Sequence, residues 1–119
     1  MKEKISLIQM DVDMGHVERN YEKPVQLMEL ALEGKPDILV LPETVNTGFF
    51  PSPDSALHAA SDADGVQTKK VFGAFAKEHG VNIVAGSVSV LENGCVFNRS
   101  YIFDRKGEVV ASYDKIHGF

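Results

Sequence analysis

Apolar residues recur along this chain at two periods, and each change of period marks an element. Residues 4–12 alternate loosely around Ile5 and Leu7 and read as a first strand, broken by Asp13-Met14-Gly15. In residues 17–32, Val17, Tyr21, Val25, Met28 and Leu32 follow at spacings of 4, 4, 3 and 4, one stripe of an amphipathic helix. Pro24 falls inside it, where its ring removes an intrahelical hydrogen bond and crowds the preceding turn. The helix is therefore expected to begin nearer Tyr21 or to kink. Gly34 followed by Pro36 stops it.

Residues 37–41 form a short continuous apolar run, the pattern of a strand buried on both faces, closed by Pro42 with Glu43 directly after. Residues 44–64 contain Gly48, prolines and many small polar residues, and read as a long surface loop with one helical turn near 55–60. Loops of that length usually serve as lids or binding segments. Residues 66–79 form a second helix whose buried face is Val71, Phe72, Phe75 and Ala76, with Gly80 as its stop. A strand over 81–91, the hairpin dipeptide Asn93-Gly94, a return strand over 96–104, a turn through Gly107 and a last strand over 108–113 complete the pattern. The order is β-α-β-loop-α-β-β-β, an α/β chain with a mixed sheet. Right-handed crossovers put both helices on one face of it. Two helices cannot cover two faces, so the chain reads as part of a larger domain.

Composition narrows the class. The 119 residues are 44% apolar and 24% charged, ordinary for one globular domain. The longest aliphatic run, 38–41, is far short of the roughly 20 residues of a membrane span. Twelve basic residues stand against 17 acidic ones, net −5, with no basic cluster denser than Lys69-Lys70, which argues against a nucleic-acid partner. The N-terminus carries neither the apolar region nor the cleavage site of a secretory signal. The single cysteine, Cys95, permits no intrachain disulfide, and these features together point to the cytoplasm.

Few residues stand out as carriers of chemistry. Glu43 lies just past the C-terminal end of an apolar strand, where open α/β sheets bind ligands, and burial there would raise its pKa toward that of a general base. On position alone, a solvated strand-ending carboxylate remains the plainer reading. Lys115 follows the last strand and could stabilise negative charge on a substrate oxygen, or be a surface lysine. His117 has no partner in sequence. Cys95 sits in the hairpin turn, away from any helix N-terminus or basic cluster that would make it a thiolate, and reads as a small half-buried turn residue. His16, His58, His79 and His117 show no metal-ligand spacing, and Gly86, Gly94 and Gly107 read as turn residues rather than a phosphate-binding loop. No cofactor is implied.

The joint pattern says more than its parts. Asp37-Ile38-Leu39-Val40-Leu41-Pro42-Glu43, Gly48-Phe49, residues 81–87, Asn98 and Tyr113-Asp114-Lys115-Ile116-His117, with Asn20 in the first helix, resemble the nitrilase superfamily, specifically its amidase-type carbon–nitrogen hydrolases. The resemblance spans residues 5–119 and implies an α-β-β-α sandwich, of which residues 1–119 would be the N-terminal portion of a single domain. It implies a Glu-Lys-Cys catalytic set in which Glu43 is the general base and Lys115 stabilises the tetrahedral intermediate. The family's nucleophilic cysteine falls beyond this lysine, and Cys95, which precedes Lys115, does not match it.

The leading expectation is thus a hydrolase acting on a small carboxamide, with this chain supplying Glu and Lys, inactive alone, and associating into homo-oligomers through an uncovered sheet face. The loop at 46–50 would help wall the pocket. The competing readings are a non-catalytic binding or assembly module of the same fold and an unrelated small α/β binding domain.

Overall fold

The computed structural model describes residues 2–14, 16–48 and 54–115, with backbone alone at 54 and 55. The elements are β1 (Ile5–Leu7), α1 (Val17–Ala31), a 3-10 turn (Leu32–Gly34), β2 (Ile38–Val40), α2 (Asp54–Ala60), β3 (Asp62–Ala63), α3 (Val66–His79), β4 (Asn82–Glu92), β5 (Cys95–Phe103) and β6 (Val109–Asp114). They build one mixed sheet in the order β1-β2-β4-β5-β6, parallel across β1, β2 and β4 and antiparallel from β4 to β6, with β3 pairing parallel to the far end of β4.

The register assigns every side chain to a face. Leu39, Ile83 and Phe103 form one cross-strand row and are fully buried. Against that face pack Met28 of α1 and Phe72, Phe75 and Ala76 of α3, and the Tyr21 and Phe72 rings lie 5.8 Å apart between the two helices. The neighbouring row runs Leu7, Val40, Val84, Ile102 and Ala111 across five strands on the opposite face. Leu7 is 75% exposed and Ile102 37% exposed. One face of the sheet is a core, and the other is open among the described residues. The hydrophobic pattern anticipated two faces, but it did not separate them: of the alternating apolar residues in β4, Ile83, Ala85, Val88 and Val90 belong to the helix side.

Three expectations change. Helix α1 begins at Val17 and continues through Pro24 without a displaced start, because its first turn is tied down: the Asn20 N–H donates to the His16 carbonyl at 3.0 Å, and the Asn20 side chain exchanges two hydrogen bonds with the Asp13 backbone. The first strand stops at Leu7 rather than running to Val12. The described part of residues 44–64 is not a plain surface loop: Thr44, Val45, Asn46 and Thr47 are buried, α2 spans the helical turn expected near 55–60, and β3 follows it. Within β3 the buried Asp62 accepts hydrogen bonds from the N–H groups of Gln67 and Thr68, satisfying otherwise unpaired donors at the start of α3.

Candidate active site

Beyond β2 the chain keeps pairing with β4, but irregularly, and this irregularity presents Glu43. The Leu41 N–H donates to the Val84 carbonyl at 2.9 Å and the Val45 N–H to the Ser87 carbonyl at 3.0 Å. Between them the Thr44 N–H turns to the Ser87 Oγ at 2.9 Å. The register of β4 shifts between Ala85 and Val88 to make this possible. Gly86 sits in that shift, where a Cβ would overlap the Leu41 carbonyl oxygen. It is therefore a close-approach glycine inside a strand, not the turn residue the sequence suggested. Thr44 takes φ 45°, a left-handed conformation that a β-branched residue rarely adopts.

The turn is locked from behind. The Asn46 side chain imitates a strand, its Nδ2 donating to the Ser89 carbonyl at 3.0 Å and its Oδ1 accepting from the Ser89 N–H at 2.8 Å. The Asn46 carbonyl accepts from Asn20 Nδ2 at 3.0 Å, which joins α1 to the same network. Asn46 and Thr47 are thus supports behind Glu43 rather than pocket walls. The remaining residues expected there, Phe49 and Phe50, lie outside the described residues, as do Ile116 and His117.

On the open face the Glu43 carboxylate meets two donors at one oxygen. Asn98 Nδ2 donates to Oε1 at 2.8 Å, and Lys115 Nζ lies 3.2 Å from the same atom. The three groups border a shallow pocket of about 250 Å³ with Gly86, Ser100 and Tyr113. The structure therefore brings together Glu43 and Lys115, residues 72 positions apart. It also adds Asn98, which the sequence offered as part of the family resemblance but without a role: it shares a β5 face with Ser100 and opposes Ser89. The expected raised pKa of Glu43 is corrected. Its carboxyl is held below the ordinary value, chiefly by the Asn98 hydrogen bond and further by Lys115, against a smaller opposing push from burial. The side chain is 42% exposed, and the push from burial, though larger than either single contribution of Lys115, does not outweigh the bonds together.

Cys95 lies elsewhere. It pairs with Glu92 at the mouth of the hairpin, is exposed rather than half-buried, and by strand alternation points to the face opposite Asn98. A larger groove of about 620 Å³ lies between α1 and α3, lined by Val17, Tyr21, Val25 and Val71 with Glu18 and Glu22. Its size is greater, but its lining pairs no acid with a base, whereas both candidate residues of the sequence line the smaller pocket. Among the described residues, no group of three or more His, Cys, Asp or Glu side chains could hold a metal ion, and no helix is long and apolar enough to cross a membrane.

A carboxylate and an ammonium thus converge at the end of a parallel strand, beside a sheet face that is open among the described residues. The family model described as carbon-nitrogen hydrolase matches residues 4–119. The chain belongs to the carbon-nitrogen hydrolase family. It is 40% identical over its whole length to a 2-oxoglutaramate amidase of Bacillus subtilis (strain 168), covering 44% of that protein. It is 29% identical over 96% of its length to a protein named hydrolase in agr operon from Staphylococcus aureus, covering 42% of it. Among solved structures it is similar to Saccharomyces cerevisiae Nit3, a member of the nitrilase superfamily, with a TM-score of 0.83 at 19% identity over 97% of this chain and 44% of that one. An amidase from Nesterenkonia sp. gives a TM-score of 0.79 at 22% identity, over 98% and 44% respectively. The fold is that of the nitrilase superfamily, and the chain spans less than half the length of these relatives.

Proposed function

We propose that the intact protein of this carbon-nitrogen hydrolase hydrolyses a small carboxamide, with Glu43 as general base, Lys115 as oxyanion stabiliser and a cysteine from outside residues 1–119 as nucleophile. The observation that carries this reading is the convergence of Asn98 and Lys115 on Glu43 in a pocket on the open face. In this scheme the ionised Glu43 accepts the thiol proton while sulfur attacks the carbonyl carbon. The oxygen that becomes negative lies against the Lys115 ammonium, a charge already in place before the step. Collapse breaks the C–N bond, and ammonia leaves with the proton returned from Glu43. Glu43 then takes a proton from the water that cleaves the thioester. Asn98 holds the carboxylate ionised and oriented between steps.

Residues 1–119 serve as the first part of one sandwich domain, and the remainder of the protein packs on the Leu7-to-Ala111 row. Whole subunits then associate as homo-oligomers. The first substrate to assay is 2-oxoglutaramate, named for the 40% identical relative, alongside simple aliphatic amides. Ammonia release by the intact protein is expected, with Glu43→Gln and Lys115→Met each lowering kcat by at least about 100-fold. Full activity in Glu43→Gln would overturn the assignment, and so would an inactive wild-type protein with an intact cysteine. The latter outcome favours the non-catalytic module.

A further inference from the structure

The two faces of the sheet meet the same two stretches of backbone. At residues 98–99 of β5 and 114–115 at the end of β6, successive side chains point to opposite faces. On the open face are Asn98 and Lys115, bonded to Glu43. On the helix face are Arg99 and Asp114, a directly opposed cross-strand pair. Arg99 there makes two forked contacts. Its Nε lies 2.6 Å from Asp114 Oδ1 and its Nη2 3.1 Å from Oδ2, while Nη1 and Nη2 lie 3.3 and 3.0 Å from the two Glu92 oxygens. The guanidinium also stacks 5.2 Å from the centre of the Phe97 ring, and its side chain is only 13% exposed.

We propose that Arg99, which does not touch the pocket, is a positioning residue for Lys115: by gripping Asp114 from behind the sheet it fixes the end of β6, and so places the lysine on Glu43. This deepens the proposed hydrolase mechanism and rests on it for its consequence in catalysis.

The physical case is one of constraint. Strand β6 is an edge strand among the described residues, mostly exposed, and the Lys115 N–H bonds to the Asn98 carbonyl at 2.9 Å just past the strand's last residue. A long lysine on such an end would wander. The forked Arg99–Asp114 contact fixes both the position and the twist of the residue before it, as a planar guanidinium can and an ammonium cannot. Arg99 is also the cation between two carboxylates. Without it, Glu92 and Asp114 would repel each other, pushing the β6 end away from β5 and carrying Lys115 from Glu43.

The test uses the intact protein with Arg99→Gln, Arg99→Lys and Asp114→Asn. Asp114→Asn keeps the side-chain shape should the arginine variants fail to fold. Among the described residues, the titratable groups lining the pocket with Glu43 are Lys115 and Tyr113, and Lys115 is the charge that acts on the carboxyl, so the carboxyl itself reports the distance of the lysine. Arg99→Gln is expected to lower kcat about tenfold with little change in KM, because the displaced group acts on the reacting oxygen. The acid limb of its kcat/KM profile should move to higher pH, as Glu43 loses its neighbouring positive charge. Arg99→Lys should recover only part of both effects, and Arg99→Gln should cost nothing further once Lys115 is already Met. A variant that melts earlier yet keeps the wild-type acid limb and kcat would overturn the proposal, as would an equal loss in the Lys115→Met background. Carbon-13 titration of the Glu43 carboxyl separates this from failure of the hydrolase reading. An upward shift in Arg99→Gln upholds the positioning role even without turnover, and an unmoved titration refutes it even where amides are hydrolysed.

Discussion

Glu43 and Lys115 meet in one ion pair, yet the backbone segments that deliver them are held in opposite ways. Glu43 stands on a turn whose following residues, Thr44 to Thr47, are buried and bonded to β4 through both backbone and side chains. Lys115 stands at the end of an edge strand that is mostly exposed among the described residues, beside a backbone bond to Asn98 and a charge pair on the far face. The glutamate is set by packing and close backbone approach, which tolerate no change of volume. The lysine is set by electrostatics, which substitution and salt can tune. Damage to the first segment should therefore appear as lost stability, and damage to the second as altered titration and rate.

The largest effect is expected at Gly86. A methyl group there meets the Leu41 and Pro42 carbonyl oxygens, both backbone atoms that cannot swing aside. Either β4 or the Glu43 turn must move, at a cost of about 3 kcal/mol or more, the upper range for overpacking. Urea denaturation of Gly86→Ala measures it, and a midpoint within error of wild type would show that the turn is looser than the packing implies.

Asn46→Ala should come next. It removes a side chain that satisfies both backbone groups of Ser89 in a buried setting, leaving one donor and one acceptor without partners. The expected loss is about 2–3 kcal/mol, read by the same denaturation. If the loss falls below about 0.5 kcal/mol, water has replaced the amide, and the strand-like role assigned to Asn46 is wrong. Set against these, Lys115→Met should change stability by less than about 0.5 kcal/mol, since its side chain and that of Glu43 are 46% and 42% exposed. A larger loss would show that the lysine end is as rigid as the glutamate turn, and would erase the contrast.

The same contrast explains what the sequence disclosed. Period and turn residues identified α3, the β4–β5 hairpin and β2, because these obey local rules: a stripe, an Asn-Gly pair, an apolar run closed by proline. Glu43 and Lys115 stood out in the sequence, Glu43 through its strand-end position in Leu-Pro-Glu and Lys115 through its Tyr-Asp-Lys-Ile-His context. The supports were not. The apolar alternation of β4 changes phase between Ala85 and Val88, and beside that break a glycine required by a carbonyl 45 residues earlier in the chain read as a turn. Thr44, Asn46 and Thr47 are polar, and polarity reads as surface unless the partners, Ser87 and Ser89, are known. The depressed pKa of Glu43 was missed because it depends on Asn98, 55 residues away across β4. Arg99 gave no signal, for its role depends on which face each strand presents.

The smallest effect is a pair of titration shifts, and their order tests the origin of the Glu43 charge. Three influences act on this carboxyl: the Asn98 hydrogen bond first, burial in the opposite direction, then the hydrogen bond and charge of Lys115. Because the folded pKa lies below the unfolded one, ordinarily about 4.3, the bonded carboxylate contributes stability that is fully present above that ordinary value. The contribution fades as pH falls through the lower folded value. Asn98→Ala should raise the Glu43 pKa more than Lys115→Met does. In the double variant burial alone remains, so the carboxyl should titrate above its ordinary value. Salt sharpens the comparison: about 1 M salt screens the exposed lysine, where the Debye length shrinks to about 3 Å, and leaves the amide hydrogen bond intact. The wild-type titration should thus rise with salt, while that of Lys115→Met should not. Carbon-13 detection of the Glu43 carboxyl reads all four cases, and a larger shift in Lys115→Met than in Asn98→Ala would make the ammonium, rather than the amide, the group that keeps Glu43 ionised.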